Sequence, residues 1–140
     1  MQVLFRDHLD QHCDRTGITM PPLLRDYLVD LLDSRLRRVD LIPEPSFGER
    51  YMILCSQGRM GDLADYGDCC LFFTSLLPEY GRRRGLSMDY YATLGISSYH
   101  IVGDRLEDSR YTQLGDWFYT LQRILNSAIH PDVRVQLWGF

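Results

Sequence analysis

Asp62, Asp65 and Asp68 recur every third residue of the sequence. Carboxylates so spaced can hold a divalent ion or work as general acid and base. Three-residue spacing on a helix predicts that they share a face near the positive end of the helix dipole. The simpler alternative has Asp62 serving the dipole and the other two meeting solvent or arginines. An EF-hand loop is excluded, because both the spacing and the terminal glutamate are wrong. His8 and His12 stand at i, i+4, which can bring two imidazoles to one metal ion, or can simply line a wet helix face. The run Arg82, Arg83 and Arg84 can grip a phosphate or carboxylate, or can be a solvated turn paired with Glu79 or Asp89. The pair Tyr90 and Tyr91 follows, and His100 is a lone histidine that no motif links to a serine or cysteine nucleophile.

The bulk composition narrows the chemistry further. A chain of 140 residues fits one domain, residues 1–140, large enough to bury a sizeable core. Its 45% hydrophobic and 24% charged fractions argue against disorder and against a membrane span. A net charge of -4 without a basic block argues against nucleic acid as a partner. All 15 basic residues are arginine, so lysine chemistry, from Schiff bases to phosphate-binding loops, is excluded. Cys13, Cys55, Cys69 and Cys70 lack C-x-x-C spacing and read as free thiols in a reducing compartment. With no apolar leader at the N-terminus, the expected location is the cytoplasm.

The elements that must position these residues are helical. Phe5, Leu9 and Cys13 give a first stripe from Gln2 to Arg15, and Leu24, Leu28, Leu31 and Leu32 a second from Pro22 to Arg37. Residues 41–48 carry two prolines and read as a crossing loop. A short helix from Gly48 to Gln57 should end at Gly58, with a strand over Tyr51–Cys55 as the alternative. The central helix begins near Met60 or Asp62 and stops before Pro78, apolar nearly all round from Leu71 to Leu77. The segment Pro78–Gly85 reads as a tight reversal. Ser87 is placed to cap a helix from Met88 to Val102 that Gly103 should end, and Asp108 or Ser109 to cap a last helix reaching Ile129. The final stretch, Val133 to Phe140, alternates apolar and polar residues and reads as a short extended arm.

Four stretches, Tyr27 to Leu32, Tyr66 to Glu79, Arg83 to Tyr91, and Leu94-Gly95 with Ser98-Tyr99, together resemble an uncharacterised bacterial family of small all-helical proteins. The likeness spans about residues 4 to 125. Family members read Leu-Gly-Asp where this chain has Tyr66, Gly67 and Asp68, and Gly-Phe-Phe-Pro-Glu where it has Ser75 to Glu79. The resemblance implies a helical fold and supplies no activity. It draws attention to Asp68, Glu79, Arg83, Tyr90, Tyr91 and Tyr99, with Asp68 and Arg83 as an ion pair clamping two helices or as the rim of a pocket.

The resulting expectation is an all-α bundle of five to six helices with a short C-terminal extended arm. No cofactor is expected. The expected function is a non-catalytic interaction or regulatory module, acting as a homo-oligomer or with a protein partner. The alternative is a ligand-binding protein or enzyme using an interhelical pocket of Asp65, Asp68, Arg83, Tyr90, Tyr91 and His100, with His8 and His12 as candidate metal ligands.

Overall fold

In the computed structural model, which describes residues 2–35 and 47–128, the chain is all-α. Eight helices occur among the described residues: α1 Gln2–Thr16, α2 Pro22–Arg35, α3 Phe47–Gln57, α4 Met60–Leu76, α5 Pro78–Arg83, α6 Met88–Leu106, α7 Ser109–Asp116 and α8 Phe118–Ala128. The crossing loop and the C-terminal arm fall outside the described residues.

Two features raise the count above five to six. The expected reversal after Leu77 is helical, because Pro78 occupies the first turn, where a missing N–H costs nothing. The reversal itself falls on Gly85, whose φ of 72° suits glycine. Secondly, the last helix breaks at Trp117, whose N–H still reaches Gln113 O at 2.9 Å. Gly115 lies directly under the His100 imidazole at that break. Elsewhere α3 is helical over the segment with a strand alternative, and Gly58 ends it at φ 65°. Gly103 does not end α6. It is buried against Thr112 of α7, and α6 runs on to Leu106, where Glu107 takes the left-handed cap at φ 50°. Ser87 caps α6 by accepting from Tyr90 N at 3.2 Å, and Asp108 caps α7 by accepting from Arg110 N at 3.0 Å.

The core centres on α4, whose residues from Cys70 to Leu76 are all buried, as a helix apolar on every side requires. Its main neighbour is α6, packed antiparallel: Asp68 meets Tyr99, Cys70 meets Gly95, and Phe73 meets Tyr91. Two glycines set the closeness of this pair. A Cβ on Gly67 would lie 2.9 Å from the Tyr99 ring, and one on Gly95 would lie 2.7 Å from Phe118 and 2.8 Å from Cys70. The other flank of α4 is covered by α8, through Gln122 Nε2 donating to Thr74 Oγ1 at 2.7 Å and Asn126 Nδ2 to Ser75 O at 2.9 Å. The helices α1 and α2 close that side, α1 against α8 and α2 against α7.

Candidate functional site

The aspartate triplet fans out instead of sharing a face. Three-residue steps on a helix of 3.6 residues per turn drift steadily, so the first and third members end on different sides. Asp62 pairs with Arg59, Asp65 is exposed, and Asp68 is only 2% exposed. Asp68 accepts the Tyr99 hydroxyl at 2.7 Å, with Tyr99 fully buried. Burial, and then the Asp68 charge, push the Tyr99 hydroxyl well above its ordinary range, so it stays a protonated donor. Tyr27 of α2 is raised by the same two causes and meets Tyr111 of α7 edge-on at 5.6 Å. The result is a tyrosine-lined interior around one carboxylate.

Arg83 ends α5 on the surface, and no ion pair joins it to Asp68 among the described residues. Its neighbours are engaged locally: Arg82 pairs with Glu79, and Arg84 lies 3.6 Å over the Tyr80 ring. Tyr91 is buried against Phe73, while Tyr90 is half exposed and reaches across to Gly48 on α3. Tyr51 of α3 stacks at 5.8 Å on Tyr66 and shares a 2.5 Å hydrogen bond with Ser97 of α6. His12 is buried, not on a wet face, and the side chain of His8 lies outside the described residues. Among the described residues no three His, Cys, Asp or Glu side chains are grouped for a metal ion. The four cysteines are free thiols, Cys70 buried and its ionisation pushed well up by that burial.

His100 has a partner that spacing did not reveal. Its Nε2 lies 2.9 Å from Asp116 Oδ1, across the α6–α7 turn. It lines a groove of about 700 Å³ whose floor comes almost entirely from α6, at positions 93, 96, 97, 100, 101 and 104, with Thr112 from α7. Those positions repeat at three and four residues, the signature of one helix face, and it is the face turned away from Tyr99 and α4. The Ser97 hydroxyl in the groove is hydrogen-bonded to Tyr51. The sequence-expected residues are therefore dispersed: Asp68 lies inside with Tyr99, Tyr91 is buried against α4, Tyr90 stands at the α3–α6 junction, His100 lines the groove, and Asp65 and Arg83 are at the surface.

A smaller hollow of about 400 Å³ near the α1–α2 turn holds Cys13 and the Arg25–Asp10 ion pair at 3.2 Å. No helix among the described residues is long and apolar enough to cross a membrane. In comparison with known proteins, no family model, curated protein or solved structure matches the chain.

Proposed function

We propose that the chain is a cytoplasmic protein-interaction module without catalytic activity of its own, self-associating through the outer face of α3. The observation that carries this reading is the exposure of Met52 at 69% and Ile53 at 51% on α3, with Tyr90 of α6, 51% exposed, reaching Gly48 one turn before Met52. Large apolar side chains left together in water mark contact surfaces more often than isolated ones do. Glu49 and Arg50 are also exposed on α3. A twofold axis through this face lets Glu49 of one copy meet Arg50 of the other while the apolar residues touch. Four free thiols agree with a reducing compartment. The reading with a ligand or catalytic pocket has less support, since Asp68 and Tyr99 satisfy each other in a packed interior while Asp65 and Arg83 stand at the surface.

Light scattering coupled to gel filtration tests the proposal. The wild-type chain is expected to elute with a dimer mass, and Met52→Glu combined with Ile53→Glu as a monomer with an unchanged helical circular-dichroism spectrum. A wild-type monomer at every concentration, or a dimer indifferent to both substitutions, overturns it.

A further inference from the structure

The groove on α6 is separate from the α3 face and has its own chemistry. Its floor carries Ile96 and Ile101, both half-buried, along roughly 16 Å of helix at 1.5 Å per residue, enough for three turns of a second helix. One wall is α7, which supplies Thr112 and sets Asp116 against His100. The other flank is tied by α3 through the Tyr51–Ser97 bond. Covering such a stripe with a helix that places apolar residues at i, i+3, i+4 and i+7 is an established mode of peptide recognition.

Carboxylates outnumber cations around the groove, where exposed Arg105, beside Asp104, and His100 are the basic groups. Asp104 lines it, Asp116 stands at its α7 edge, and Asp89 sits one turn before Thr93 on the same stripe, all three exposed. No arginine is among the residues that line it. Carboxylates beside the two isoleucines favour a ligand with the opposite rim and repel an acidic one. The chain's own charge of -4 extends that preference to long range.

We infer that the α6 groove is a docking site for a cationic amphipathic helix of a partner protein, its apolar face seated on Ile96 and Ile101 and its basic side chains against Asp104 and Asp116. The inference builds on the interaction-module reading and uses a different surface. A second copy is the poorer occupant, because its own acidic balance does not complement the rim.

The test uses two fluorescein-labelled amphipathic helical peptides with identical leucine positions, one with lysine and one with glutamate on the polar face, titrated by anisotropy into the full chain. The Leu/Lys peptide is expected to bind and the Leu/Glu peptide not. Asp104→Arg and Ile96→Asp should each weaken Leu/Lys binding about tenfold or more, the equivalent of roughly 1.4 kcal/mol. The control Asp7→Arg, on α1, makes the same charge change away from the groove and should leave binding within about twofold. Thermal melts confirm that each variant is folded. Binding reduced equally by Asp104→Arg and Asp7→Arg, or indifferent to Ile96→Asp, shows general charge attraction and overturns the inference, as does an absence of binding. Peptide competition by the dimer contact is read separately: with Met52→Glu and Ile53→Glu the groove should still bind, so failure of the dimer and failure of the groove give different results.

Discussion

Replacing Phe118 by alanine lowers the stability of the fold by about 3–5 kcal/mol, the range for truncating a fully buried aromatic. Phe118 has no exposed surface, and its ring lies over Gly95 with its centroid 6.1 Å from that of Tyr99. It opens α8 at the point where the long C-terminal helix breaks, so its ring ties α8 to α6. The site has no slack in the other direction: Gly95→Ala places a methyl group 2.7 Å from the Phe118 ring and is expected to cost about 1–3 kcal/mol. Combined, the two changes should cost less than their sum, because the smaller residue at 118 relieves the crowding at 95. Urea unfolding of the two single variants and the double variant measures this. Strict additivity would mean that Phe118 is not what confines Gly95.

Alkaline conditions supply the second large effect. Tyr99 and Tyr66 are buried, and burial pushes both hydroxyls above their ordinary range. In the unfolded chain they titrate near pH 10. The folded state therefore keeps protons that the unfolded state releases, so their contribution is complete below about pH 10 and is lost as pH rises further towards the folded values. Each tyrosine should tilt stability downward by about 1.4 kcal/mol per pH unit in that window. Tyr99→Phe removes one such contribution. It should flatten the decline by about 1.4 kcal/mol per pH unit, while costing about 1–3 kcal/mol at neutral pH because Asp68 loses the Tyr99 donor. Urea midpoints measured from neutral pH to about pH 11 check both statements. A variant whose stability falls as steeply as the wild type above pH 10 refutes the assignment to Tyr99.

Helical periodicity was legible because each long helix has a different environment on each side. The apolar stripe of α6, the all-round apolar stretch of α4 and the Ser87 cap all follow from residue spacing. Helix ends were less legible. Gly103 reads locally as a stop, yet its lack of a side chain serves the approach of Thr112 from α7, a contact that local propensity does not encode. The same difficulty hid Asp116: its partner His100 is 16 residues away, joined only because α7 folds back on α6. The aspartates misled for a different reason. A three-residue repeat approximates one face over a single turn, but over two turns it carried Asp68 into the interior and left Asp65 outside.

The glycine notches between α4 and α6 also determine how the molecule can move. Gly67 of α4 receives Tyr99 of α6, while Gly95 of α6 receives Phe118 of α8 and faces Cys70 of α4. Sliding one helix past the other by a turn would drive Tyr99 out of its notch and onto neighbouring side chains of α4. Shear along this pair is blocked in both directions, and the register is locked as a key is by its wards. Any conformational response to a partner must then be carried by elements outside this pair, with α7, which walls the groove, and α3, held to α6 by Tyr51 and Tyr90, both beside it.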